Sequence, residues 1–270
     1  MTQIINLILK RGEPVTSTEE YFARTPFLEV VGEQGVKKMK RPGCIKIHLP
    51  FDRINFSNEA KYIYVARHPA DCVVSFYHHT RYFPIYSFSD GTFDEFFDLF
   101  VKGAVDFGDY FDHLLSWYEH RNEENIFFIT FEAMKADHRT SILKVAKFLG
   151  QEYYDFLVAN KEEILEKVIQ YSSLEYMKGT TEKFWKEIFS VSPPEEVQEE
   201  SPVLKKYAQL AAEAKTSGHC SIGDFVRKGT VGEGKITLSK EQLDKLNARI
   251  EEKTSHSDVM NLWKGNEVKQ

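Results

Sequence analysis

The chain has 270 residues, a net charge of -6, 42% apolar residues and 14% aromatic ones. That length allows one large α/β domain or two small ones, and the apolar content excludes global disorder. The negative balance excludes nucleic-acid binding driven by overall charge, and Cys44, Cys72 and Cys220 show no metal-like pairing or full disulfide set, as is ordinary in a reducing compartment.

In chain order, MTQIINLILKR carries an apolar run too short to span a membrane and lacks the charged start of a signal peptide. The expectation is a cytoplasmic protein without membrane or nucleic-acid partners. Ile4, Ile5, Ile8 and Leu9 stand at helical spacing, with Gly12 as the stop. Four apolar runs follow: PFLEVVG (26–32), CIKIHLP (44–50), KYIYVAR (61–67) and NIFFITF (125–131). Near-continuous β-branched and aromatic runs of this length predict strands buried on both faces of a parallel sheet.

Helices alternate with these runs. Thr92 and Glu95 form a capping box ahead of Phe93, Phe96, Phe97 and Phe100, and Gly103 ends that helix. Ile142, Val145, Ala146 and Leu149 make a second face ending at Gly150. Asn160 with Glu163 opens a third, with Ile164, Leu165, Val168 and Ile169 inward; Ser239 with Gln242 opens a fourth. The pattern predicts a three-layer α/β fold with a mostly parallel central sheet flanked by helices. Residues 180–222, acidic and then helical, read as an excursion from that domain, either a mobile cover or a solvated insertion.

Three pieces could carry chemistry. In CIKIHLP, strand alternation puts Lys46 and His48 on one face near Pro50. A general base beside a compact cation suits the crevice at the carboxyl end of an open sheet, although such a pair is also common as solvated polar surface. In KYIYVARHPADCVVSFYHH, Arg67 leaves a strand, Pro69 starts a helix with Asp71 in its first turn, and Ser75 follows. A guanidinium and a hydroxyl around a helix start suit a phosphate; the alternative is a structural arginine paired with a carboxylate. The third piece, GTVGEGK (229–235), matches G-x-x-x-x-G-K. However, Ile236 supplies no hydroxyl for magnesium, and no strand precedes the loop, so a triphosphate site is disfavoured. Arg227, Lys228 and Gly229 remain, as an anion nest or a flexible basic loop.

These pieces, in this order, resemble the cytosolic sulfotransferase family. KIHLP resembles its K-T-H-L-P-like strand end, YVARHPADCVVSFYHH its Arg…Ser segment, and FVRKGTVGEGK its R-K-G-x-x-G loop. The run from FGDYFDHLLSWYEH to ILKVAKFLG looks like its middle region, so the resemblance covers most of 2–180 and 224–265. It implies a single domain over 1–270 with the P-loop-like sulfotransferase architecture. It also implies sulfuryl transfer from 3′-phosphoadenosine 5′-phosphosulfate (PAPS), without a metal, to the hydroxyl or amine of a small, aromatic acceptor. By that resemblance His48 is the base and Lys46 steadies the sulfuryl group. Arg67 and Ser75 bind the 3′-phosphate, Phe131 and Ser172 lie near the adenine, and Arg227, Lys228 and Gly229 close over the nucleotide.

The departures are informative. Phe131 replaces a usual tyrosine, Ser172-Ser173-Leu174 replaces a T-S-F-like segment, and Gly232-Glu233-Gly234-Lys235 replaces G-D-W-K. A homodimer is implied, but its motif is shortened in KITLSKE. The family's Y-P-K-S-G-T-T-W-like loop would fall before residue 1, so an N-terminally truncated chain, lacking that 5′-phosphate cradle, is the expectation. The alternative is a catalytically inactive relative that binds nucleotide or acceptor. Phe76, Tyr77, His79, Phe83 and Tyr86 read equally as acceptor pocket or as core.

Overall fold

The computed structural model describes residues 1–190, 201–217 and 223–264. The most acidic part of the expected excursion and Cys220 lie outside the described residues. The chain divides into two compact units: one of Met1–Ile47, Arg81–Ser89 and Arg139–Gly229, the other of His48–Thr80, Asp90–His138 and Thr230–Gln270.

The second unit is built on β1 (Tyr62–Ala66) and β2 (Ile126–Thr130), which pair in parallel from Tyr62 opposite Ile126 to Ala66 opposite Thr130. These are the third and fourth expected strands. A parallel pair needs a crossover, and here it runs through α4 (Pro69–Tyr82), α5 (Phe93–Val101) and α6 (Tyr110–Tyr118). Pro69 opens α4, where its missing N–H costs nothing. Thr92 and Glu95 make the expected capping box on α5, and its Phe96, Phe97 and Phe100 are buried. Asp109 caps α6 by accepting from the Phe111 and Asp112 amides, and Arg249 pairs with it at 2.5 Å. The core gathers Ala66, Leu114, Leu115, Tyr118, Val259 and Trp263.

The first unit is helical. Its α1 (Thr2–Leu9) buries Leu7 and Ile8 and packs against α9 (Gln151–Val158) and α10 (Glu163–Tyr171). Gly12, at φ 84°, ends this segment by donating to the Leu7 carbonyl, a left-handed stop that glycine adopts without strain. Between them lie α2 (Thr18–Arg24), α3 (Leu28–Lys37), α7 (Phe131–Ala136, in the second unit) and α8 (His138–Leu149), whose Ile142, Val145 and Ala146 are fully buried. Beyond α10 come α11 (Leu174–Gly179), α12 (Thr181–Ser190) and α13 (Pro202–Ser217). The second unit adds α14 (Glu233–Thr237) and α15 (Lys240–Thr254), the latter with the expected Ser239–Gln242 capping box.

The α/β class with a parallel sheet holds, but three local expectations do not. Residues 26–32 form no strand: Phe27 makes one parallel bridge with Lys46, and the chain then turns into α3 as the Val30 and Val31 amides bond the Phe27 carbonyl. Residues 44–50 likewise pair at Lys46 alone, through bonds from the Lys46 amide to Pro26 and from the Leu28 amide to Lys46. A short apolar run has no period that separates strand from helix, and here tertiary context decides. Third, α10 starts at Glu163 behind Glu162, which stands in the left-handed region without a side-chain cap, so the helix does not open at Asn160.

Leu114 is fully buried beneath β1, whereas Leu99 is 39% exposed. Leu114→Ala should therefore cost about 2–5 kcal/mol of unfolding free energy, and Leu99→Ala within about 0.5 kcal/mol. Urea titrations of both variants check this, and equal losses would contradict the placement of the core.

Candidate active site

The parallel pair presents two consecutive carboxyl ends, and the residues that follow them meet. Arg67 follows β1 and Phe131 follows β2; the guanidinium carbon lies 4.6 Å from the ring centroid. This cation–π contact holds the guanidinium against the ring without using its N–H donors. Its Nη2 donates to the Thr230 carbonyl at 3.1 Å, and the Arg67 carbonyl accepts from Tyr110 Oη. Among the described residues Arg67 Nε meets no acceptor and no carboxylate pairs with the guanidinium. The structural-arginine alternative finds no carboxylate partner among the described residues, although the Thr230 carbonyl takes one of the guanidinium donors.

The surrounding frame is polar and satisfied. Glu132, 5% exposed, accepts from the His68 amide and from Trp263 Nε1, both at 2.8 Å. His68 Nδ1 accepts from the Ala70 amide at 3.2 Å and so caps the start of α4. Burial pushes the His68 pKa down, against the pull of Asp71 and Glu132, which favours the neutral ring that this bond requires. Asp71, 2% exposed, accepts from the Gly232 amide at 2.6 Å and the Gly234 amide at 2.7 Å. These two amides belong to GTVGEGK. Gly232 has φ 87°, and the turn of α14 begins immediately after it. Ile236, where a triphosphate loop would carry a hydroxyl, is 88% exposed. Ser75 stands half-buried in the second turn of α4.

His48 belongs to the same unit. Its ring stacks on Phe107 with centroids 4.5 Å apart. Its carbonyl accepts from His113 Nε2 at 3.0 Å, and the next carbonyl, of Leu49, accepts from Trp117 Nε1 at 3.0 Å. A carbonyl can only accept, so His113 carries its proton on Nε2, leaving Nδ1 to accept from Tyr64 Oη at 3.0 Å. Tyr64 lies on β1 and His113 on α6, so sheet and helix together hold the backbone of His48.

The remaining expected residues lie in the first unit. Lys46 Nζ sits 4.7 Å from the Phe27 ring and 5.5 Å from the Trp185 ring. Burial lowers its pKa to about 8, although Glu29 pulls it up. Trp185 also packs edge-on to Phe22 and Phe83 and against Phe225, making an aromatic cluster about its own ring. Ser172 is buried and donates to the Val168 carbonyl at 2.6 Å. Arg227 is half-buried, Lys228 exposed, and Gly229 has φ 60°, a conformation that glycine favours. A Cβ on Gly229 would lie 3.3 Å from Leu174 Cδ1, so the small residue and Leu174 fit together. Of the aromatic residues after Arg67, Phe76 packs on Phe96, and Tyr77 packs on Phe93 and donates to the Gly91 carbonyl; both serve the α4–α5 contact.

Sequence reasoning did not find His113, Tyr64 or the two amides held by Asp71. Their partners lie between 49 and 163 residues away, beyond any local pattern.

This arrangement defines an α/β protein whose Arg67 follows the first strand of a parallel pair and whose His48 backbone is held by His113. The sulfotransferase domain model matches residues 1–258, and the chain belongs to the sulfotransferase family, a class of PAPS-dependent enzymes. It is 36% identical to mouse sulfotransferase 2B1 over 67% of this chain, a match that spans 53% of that relative's length. It is 30% identical to human sulfotransferase 1C2, over 96% of this chain and 81% of the relative. Among solved structures it resembles mouse sulfotransferase SULT7A1 complexed with PAP, with a TM-score of 0.65 and 25% identity, over 97% of this chain and 82% of that one. Among the described residues there is no helix long and apolar enough to cross a membrane, and no group of side chains that could hold a metal ion.

Burial holds the His113 pKa below its ordinary value, against the pull of the His48 and Leu49 carbonyls. As pH falls through about 6.5 the unfolded chain takes up a proton before this ring does, so stability is lost on acidification. His113→Gln should therefore show a shallower drop in urea midpoint between pH 7.5 and 5.5 than the unsubstituted protein. Identical pH slopes would contradict the neutral, buried His113.

Proposed function

We propose that the chain works as one sulfotransferase domain, moving a sulfuryl group from PAPS to the hydroxyl or amine of a small aromatic acceptor. The observation that carries this reading is Arg67. It is a guanidinium at the carboxyl end of β1, oriented by Phe131 and Thr230 and unpaired with any described carboxylate. In this reading it receives the 3′-phosphate together with Ser75. Phe131 and Ser172 lie at the adenine, and Arg227, Lys228 and Gly229 close over the nucleotide.

His48 is the general base. It takes the proton from the acceptor hydroxyl or amine as that oxygen or nitrogen forms a bond to sulfur. The bond from sulfur to the 5′-phosphate oxygen breaks, and its electron pair leaves with 3′,5′-diphosphoadenosine (PAP). The stack on Phe107 and the His113 bond to its carbonyl support such a role by limiting where the ring can point. Lys46 offsets charge on the transferring group as an ammonium. No step calls for a metal. The two rings beside Lys46, Phe27 and Trp185, are of a kind that would pack on an aromatic acceptor. A cytoplasmic location and a homodimer belong to the same reading on the resemblance alone.

Transfer of labelled sulfate from PAPS to a panel of phenols and amines tests this. His48→Ala should lose about 10²–10⁴-fold in kcat, while Arg67→Ala should raise KM for PAPS more than it lowers kcat. Full turnover by the His48 variant would remove the base assignment. PAP binding without transfer to any acceptor would replace the enzyme with a nucleotide binder.

The pKa of about 8 for Lys46 adds a pH test. Since kcat/KM reports groups of the free enzyme, it should fall above about pH 8 as the ammonium is lost. Lys46→Arg should move that limb upward, because a guanidinium stays charged. A limb unchanged by Lys46→Arg would show that another group causes it.

A further inference from the structure

We infer that Asp71 is a positioning residue for nucleotide binding: it latches the 230–235 loop so that Thr230 meets Arg67. The inference rests on the reading of Arg67 as a PAPS contact.

An acid in the first turn of a helix has a local explanation, because it offsets the helix dipole. Asp71 does something further. Its Oδ2 accepts from the Gly232 amide and its Oδ1 from the Gly234 amide, so both oxygens are committed to a segment 161 to 163 residues away. The carboxylate is 2% exposed, and a buried charge without such donors would be costly. Charge-assisted bonds to two backbone amides are among the stronger polar contacts a loop can make.

The loop is shaped for this seat. Gly232 takes φ 87°, a conformation that strains other residues. At Gly234 an added Cβ would lie 2.4 Å from both the carbonyl carbon and oxygen of Ala70, so the two backbones touch where only hydrogen fits. Two residues before the first latched amide, the Thr230 carbonyl accepts from Arg67 Nη2. The latch thereby ties the orientation of the guanidinium to the position of the loop. Gly234 serves close backbone approach to α4, and Gly232 serves the left-handed turn that brings its amide to the Asp71 carboxylate.

Two variants test the latch. Asp71→Asn keeps the shape but turns N–H groups toward one of the amides, and Gly234→Ala disturbs the seat from the loop side. In the unsubstituted protein the Gly232 and Gly234 amides should exchange slowly with deuterium, and PAP should bind measurably by calorimetry. Each variant should speed exchange at these amides, raise the PAP Kd at least tenfold, and raise KM for PAPS more than it lowers kcat. Faster exchange with an unchanged PAP Kd would overturn the positioning role, and unchanged exchange would overturn the latch itself. If Asp71→Asn fails to fold, Gly234→Ala decides between the same outcomes. Failure of the unsubstituted protein to bind PAP would instead defeat the reading of the site, while the exchange rates still decide the latch.

Discussion

The parallel pairing of residues 62–66 with 126–130 is the constraint on which the rest depends. Parallel strands end on the same side, so the residue after each strand is delivered to the same place without any further device. Here those residues are a cation and a flat ring, and they stack. Register matters because side chains alternate: a slip of one residue would place Phe128 or Thr130 opposite different partners and move Phe131 away from Arg67. The core of Ala66, Leu114, Leu115 and Trp263 protects this register by burying one face of the pair.

Polar bonds then convert position into orientation. Tyr110 holds the Arg67 carbonyl, Thr230 holds its guanidinium, and Glu132 ties the start of α4 to Trp263. Tyr64 and His113 support the carbonyl of His48. Four of these six contacts use a backbone group on one side. A substitution at Tyr110 or His113 would therefore loosen the backbone that carries Arg67 or His48, with no change to that side chain itself.

What could be read from the sequence follows from how local each signal is. KYIYVAR and NIFFITF were legible as strands because contiguous β-branched and aromatic residues favour extended chain, although the expected burial on both faces fails at β1, where Val65 is exposed. The capping boxes at Thr92 and Ser239 were legible because both halves lie within four residues. PFLEVVG and CIKIHLP were misread because a short apolar run carries no period; one bridge at Lys46 is all that pairs them. For Asp71 a correct local reason, the helix start, concealed a distant one. His113 gave no signal at all, since its partners come from β1 and from the segment after Lys46. GTVGEGK was legible for what it lacks, the hydroxyl at 236, but Gly232 and Gly234 made sense only against Asp71 and Ala70.

A crystal structure of the chain with PAP tests the central claim most directly. The account predicts the 3′-phosphate within hydrogen-bonding distance of the Arg67 guanidinium, at the carboxyl ends of β1 and β2. A 3′-phosphate bound elsewhere, with Arg67 still held by Phe131 and Thr230 alone, would contradict it.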